Sequence, residues 1–180
     1  MFLLASYHIS SNDLQNGPAP NFAELISAAQ LRRMSVVMKF GVFAALKAHQ
    51  LAGAPVLDGI ITATSKGCVT DTAKFLISYH ENAVSPTAFI QSTHNAIAGQ
   101  IALLLQSNAY NFTYSQGDKS FEAAFLDAQM MIAEGVKYIL CGSFDENEDG
   151  ASANAGFYVF SSLPTSSDQR AITSIAELSS

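Results

Sequence analysis

The chain has 180 residues, 49% of them hydrophobic, with a formal net charge of −6 and a pI near 5.0. A length of this order buries roughly two-thirds to 70% of the unfolded surface around one core, so residues 1–180 are expected to form a single globular domain. The acidic balance lacks a basic stripe to neutralise phosphates and excludes nucleic acid as a partner, while a charged content of only 13% predicts that a partner covers part of the surface.

In chain order, residues 1–8 (MFLLASYH) are apolar, without the basic flank of a signal peptide or the length of a membrane span, and read as a buried first strand. Residues 10–21 carry turn chemistry and read as a loop. Leu31 to Leu51 places Val37, Phe40, Ala44 and Ala48 on one side and predicts a long, mostly buried helix, stopped by Gly53-Ala54-Pro55. Gly41 within it costs about 1 kcal/mol relative to Ala, which suits the close approach of a neighbouring helix. Val56 to Thr64 reads as a strand, and Thr70 or Asp71 caps a helix running to Tyr79. Pro86 restarts helix around Thr87 to Gln91, and Ala96 to Gln106 forms another. Asn111 to Ser115 alternates apolar and polar residues as a strand, with Phe112 and Tyr114 on one face. A turn at Gly117-Asp118 leads into a helix from Phe121 to Glu134, capped by Asp118 or Ser120. Val136 to Cys141 and Ala155 to Ser161 read as strands, and Ala171 to Leu178 as an edge strand. Strands alternating with helices define an α/β layered domain with a largely parallel central sheet.

The candidate chemistry concentrates at the Gly117-Asp118 turn, because a strand feeding into a helix N-terminus is where α/β proteins place reactive groups. Asp145 to Gly150 matches the first half of a calcium loop, but Gly156 stands where the bidentate Glu is needed, so the run reads as a solvated acidic hairpin loop. Gly117-Asp118-Lys119-Ser120 lacks the upstream glycine spacing of a phosphate loop. Cys68 and Cys141 stand far apart with no further ligand at metal spacing, which predicts a reduced, cytoplasmic protein with neither metal nor cofactor.

The segment SPTAFIQSTHNAIAG, followed by NFTYSQGDKSFEAAFLDAQMMIAEGVKYILCGSFDE, resembles the N-terminal half of a β-ketoacyl synthase, a thiolase-fold condensing enzyme. Ser85-Pro86, Asn95, Ala98-Gly99, Gly135 and Gly142 fall at the family's matching places, and the resemblance spans about residues 25 to 146. With Leu31-Arg32-Arg33-Met34-Ser35 and the Gly-Asp-Lys-Ser turn, the chain further resembles short ketosynthase-like, chain-length-factor-like proteins of aryl-polyene and flexirubin-type pathways. The resemblance implies a layered α/β/α thiolase-like half with a central, mostly parallel five-stranded sheet.

It also implies that the family's nucleophilic Cys falls on Asp118, flanked by Gly117, Lys119 and Ser120. A carboxylate at a helix N-terminus is stabilised as a thiolate would be, but makes a poor acyl carrier, so Asp118 reads as a cap. The family's two basic catalytic residues belong to a C-terminal half beyond the matched region, so condensation by this chain alone is not expected. The first functional expectation is a non-catalytic subunit that pairs with a ketosynthase, or with itself, and works with an acyl carrier protein. The pairing edge would be Asn111, Phe112, Thr113 and Tyr114, with Ser92, His94 and Asn95 as neighbours. The alternative is a small free-standing acyl-thioester transferase or hydrolase using Asp118, His94 or Cys68.

Overall fold

The computed structural model describes residues 1–16, 20–147, 150–165, 169 and 171–178. Its strands are β1 (Phe2–Ser10), β2 (Gly59–Ala63), β3 (Tyr110–Tyr114), β4 (Tyr138–Glu146) and β5 (Ala153–Ser161). They form one sheet in the order β1-β5-β4-β2-β3. β2 pairs in parallel with β3 and β4, and β5 pairs antiparallel with β4 and β1. Four strands therefore point the same way, and β5 alone runs against them.

The sheet lies between two helical layers. On one face sit α3 (Val36–Leu51) and α6 (Ala96–Leu105); on the other sits α7 (Ser120–Ala133). Period-two alternation sorts the core between them. Ile60, Leu140, Phe144, Phe157 and Val159 join the α3 side, while Ile61, Ile139, Cys141, Tyr158 and Phe160 join the α7 side. β2 is buried along its whole length, as expected of a parallel strand covered on both faces. A Cβ on Gly41 would lie 2.9 Å from Ile97 Cγ2, so this glycine is what lets α6 approach α3. A second helical pair, α4 (Val69–His80) and α5 (Pro86–Gln91), stands off the sheet, its halves joined by the Phe75–Phe89 contact at 5.4 Å.

Several expectations are corrected. β1 is an edge strand with only Ile9 buried, because only β5 flanks it along its length. The stretch expected as a loop begins with helix α1 (Ser11–Asn16), whose first residue is tied to β5: Ala153 N donates to Ser11 Oγ at 2.8 Å and Ser11 Oγ donates to Ala153 O at 3.2 Å. The helix expected from Leu31 is broken. A short α2 (Ala28–Leu31) is closed by a Ser27–Gln30 capping box, and α3 starts only after the extended Ser35. The strand expected from Val56 begins at Gly59; just before it, Asp58 N donates to Tyr138 O at 2.9 Å and Asp58 Oδ2 accepts the amides of Lys137 and Tyr138 at 3.1 and 3.0 Å. Neither Thr70 nor Asp71 caps α4. The cap position is Cys68, and Glu146 Oε1 accepts the Thr70 amide at 2.7 Å from across the fold. Ala171 to Leu178 is no strand: Ala171 bridges Phe2, Ile172 N donates to Met1 O at 2.7 Å, and Ile175–Leu178 turns into a 3-10 helix against the α7-side core. The acidic loop lies partly outside the described residues, at 148 and 149.

Candidate functional site at the β3–α7 turn and the β3 edge

The chain leaves β3 through Ser115 and Gln116, turns at Gly117 with φ +60°, and enters α7 at Ser120. A positive φ at Gly117 requires glycine or pays a steric cost, and it brings the Gln116 amide back towards the helix start. Ser120, 3% exposed, ties the turn. Its Oγ accepts the Gln116 amide at 2.7 Å, and its single proton is shared between Thr64 O at 2.8 Å and Gly117 O at 2.6 Å.

Asp118, expected as a cap, does not cap α7. The cap residue is Lys119, without a side-chain cap bond, because the helix starts one residue later than Asp118 could reach. Asp118 is exposed. Lys119 points into solvent and pairs with Glu122 at 2.7 Å.

β3 is the free edge of the sheet beside this turn. Its two faces differ. Thr113, buried, meets Thr62 through their Oγ1 atoms at 2.7 Å, and Asn111 Nδ2 donates to Ala98 O at 3.0 Å, so this face locks β3 onto β2 and α6. Tyr110, Phe112 and Tyr114 form a ladder of rings on the other face, with centroids 6.3 and 4.9 Å apart. Tyr110 donates to Asp127 of α7 at 3.0 Å, and burial together with that carboxylate pushes its phenol up to about 12, keeping it a neutral donor. Tyr110 and Phe112 remain 43% and 46% exposed.

His94 joins this edge. A pocket of ≈ 430 Å³ is lined by His94, Phe112, Thr113, Tyr114, Ser115 and Gln116. Ser92 and Asn95 do not line it. Ser92 O accepts Thr72 Oγ1 at 2.8 Å, and Asn95 is the N-cap of α6 without a side-chain bond. His94 also rests against Gly67, next to Cys68. Cys68 is 2% exposed, however, and burial, with Asp71 and Glu146 adding to it, pushes its thiol up to about 12. A thiol at that value is no thiolate at neutral pH.

Asp145, the first residue of the acidic run, organises the exit of β2: its Oδ1 accepts Thr64 Oγ1 at 2.9 Å and Ser65 N at 2.8 Å. No short-range pattern marks that role, because the partners are 80 residues apart in sequence. Among the described residues, no group of three or more His, Cys, Asp or Glu side chains could hold a metal ion.

A mixed five-stranded sheet between helical layers, with a strand-turn-helix at the end of its edge strand, is the half-domain of a thiolase-type condensing enzyme fold. The chain belongs to the family of the beta-ketoacyl synthase N-terminal domain, whose profile matches residues 8–153. No curated protein matches the sequence. Among solved structures, the fold is similar to that of a ketosynthase (ApeO) in complex with its chain length factor (ApeC) from Xenorhabdus doucetiae, with TM-score 0.71, 16% identity, and 92% of this chain covering 81% of that one. It is similar to the ishigamide ketosynthase/chain length factor, with TM-score 0.74 and 14% identity over 92% of this chain and 63% of the other. A third is AntDE:AntF, a type II acyl-carrier protein in complex with its ketosynthase, with TM-score 0.66 and 15% identity over 87% of this chain and 61% of the other.

Proposed function

We propose that the chain works as one domain, a non-catalytic ketosynthase-like subunit of chain-length-factor type. It pairs with a ketosynthase, or with a second copy of itself, in fatty-acid or polyketide-type synthesis of the aryl-polyene or flexirubin kind. The observation that carries this reading is Asp118: the turn that would present a nucleophile presents an exposed carboxylate instead. The open β3 edge supports pairing, since its unpaired backbone can take a partner strand beside the exposed rings of Tyr110 and Phe112. In this reading Asn111 and Thr113 hold the edge in place, Phe112 and Tyr114 meet the partner, and His94 closes the far side of the interface. An acyl carrier protein would deliver its chain to the paired ketosynthase.

A small thioester hydrolase or transferase built on His94 and Asp118 is the second reading, favoured by the place of His94 in the open pocket beside β3. One experiment separates them. The purified chain is incubated with an acyl thioester and followed by intact-mass spectrometry and free-thiol release, and in parallel co-expressed with a full-length ketosynthase. Co-purification without adduct or thiol release is the expected result. An adduct or turnover that disappears in Asp118→Ala or His94→Ala would overturn the non-catalytic reading.

A further inference from the structure

Three paired strands bring polar rows to the α7-side face of the sheet, at the carboxyl ends of β1 and β4. His8 stands opposite Gly156, and Gly156 opposite Ser143; one step further out, Ser10 stands opposite Asn154, and Asn154 opposite Asp145. One step nearer the centre the row is Ser6, Tyr158 and Cys141, of which the last two belong to the core under α7. Residues directly opposite one another share a face, and every second residue returns to it, so the three rows look the same way. A Cβ on Gly156 would lie 2.5 Å from His8 Nδ1 and 2.8 Å from Cε1, so the glycine leaves the space into which the imidazole folds. The His8 ring meets Tyr158 edge-on with centroids 5.0 Å apart, and Phe121, on the first turn of α7, meets the same tyrosine at 5.8 Å. These rings, with Ser143 and Asn154, line a cavity of ≈ 300 Å³.

We propose that this cavity binds a small uncharged aromatic ring carrying one hydroxyl, a ligand of the phenol class. Its walls are rings, which favour a planar apolar body. Its polar groups are few: among the described residues the side chains of His8, Ser143 and Asn154 have no hydrogen-bond partner, enough for one hydroxyl and too few for the five of a sugar. No Asp, Glu, Lys or Arg lines it, and the carboxylate of the outer row, Asp145, is already held by Thr64 and Ser65. Burial lowers the His8 imidazole below its ordinary value, so at neutral pH the ring offers one donor and one acceptor, and a hydroxyl can meet either tautomer. The volume suffices, since a cavity of about 150 Å³ already holds a benzene-sized ring. The place is the one where α/β sheets hold ligands, outside the carboxyl ends of parallel strands. It lies across β1, β5 and β4, at the opposite side of the sheet from the β3 edge, and does not depend on the pairing reading.

The test uses the full wild-type chain and three ligands that differ in one group, 4-methylphenol, toluene and 4-methylbenzoate, titrated by NMR with the ring signals of His8, Phe121 and Tyr158 as reporters. The expected result is saturable binding of 4-methylphenol with shifts at all three rings. Toluene should bind about tenfold more weakly for the loss of one hydrogen bond, and 4-methylbenzoate more weakly than both, because no cation in the lining meets its charge. His8→Phe keeps a ring and removes the imidazole nitrogens, and should bring 4-methylphenol down to the level of toluene. No saturable binding of 4-methylphenol, equal binding of 4-methylphenol and toluene, shifts that bypass these rings, or full affinity in His8→Phe overturns the assignment. Glucose bound at the same rings as tightly as 4-methylphenol overturns it too. Should His8→Phe fail to fold, the three-ligand comparison on the wild type decides alone. The titration runs on the isolated chain, so its failure is distinct from a failure of co-purification.

Discussion

Replacing Ser120 with Ala tests whether the β3–α7 turn is held by the serine rather than built around a reactive group. Ser120 Oγ bonds to three backbone groups of two segments, and one of them, Thr64 O, belongs to a residue only 1% exposed. Leaving a buried carbonyl unpaired costs about 1–3 kcal/mol, and the partly exposed Gln116 amide adds roughly 0.5–1 kcal/mol because water can replace part of its bond. Alanine returns about 0.5 kcal/mol as a better helix former at the first position of α7. The net expectation is a loss of about 2 kcal/mol, which leaves a domain of ordinary stability folded. Urea unfolding followed by far-UV circular dichroism should show a lower midpoint with an unchanged slope. A loss below about 0.5 kcal/mol would refute the reasoning. Lys119→Ala, which removes only an exposed pair with Glu122, should leave the midpoint unmoved.

Phe112→Asp should abolish co-purification with the partner while leaving the unfolding midpoint of the isolated chain within about 0.5 kcal/mol, since the side chain is 46% exposed; an intact complex would exclude β3 as the pairing edge. Gly142→Ala should destabilise by about 2 kcal/mol or more in the same unfolding assay, because the added Cβ would strike Gly156 O and the Phe157 ring between two paired strands. Cys68, with its thiol pushed up to about 12, should resist alkylation in the folded chain from pH 7 to 9 and react at once in urea; rapid labelling of Cys68 in the native protein by iodoacetamide would refute its burial.

The helices and strands of the core were legible because their periods are strong. In α7, Phe121, Ala124, Phe125, Ala128, Met131 and Ile132 repeat at helical spacing; Ala124, Phe125 and Ala128 are buried, and Phe121, Met131 and Ile132 are partly buried against the same core. Gly41 also announced a close helix contact, which Ile97 supplies. What escaped were features decided by distant partners. Whether residues 1–8 form an interior or an edge strand depends on which strands flank them, and nothing local specifies that only β5 pairs along β1. Ser11 begins a helix because Ala153, at the other end of the chain, holds it. At the site, the position of the turn was readable from strand passing into helix. The roles within it were not: Asp118 was expected to cap, and instead Ser120 ties the turn through a carbonyl 56 residues away.

Under the proposed reading, the two faces of β3 let a ketosynthase framework be kept without its chemistry. Asn111 and Thr113 point one way and depend on Ala98 and Thr62, groups that belong to the body of the fold. Tyr110, Phe112 and Tyr114 point the other way and form a ring ladder anchored at Asp127 of α7. None of these five side chains bonds to Asp118, and the turn that carries Asp118 is closed by Ser120, Gln116 and Thr64. Asp118 can therefore change without disturbing either the lock on β2 and α6 or the aromatic surface offered at the edge. A replacement of Asp118 should alter neither stability nor pairing, whereas a break in the Thr62–Thr113 contact, buried on both sides, should weaken both together, because the same strand carries the fold's last parallel pairing and the proposed docking edge.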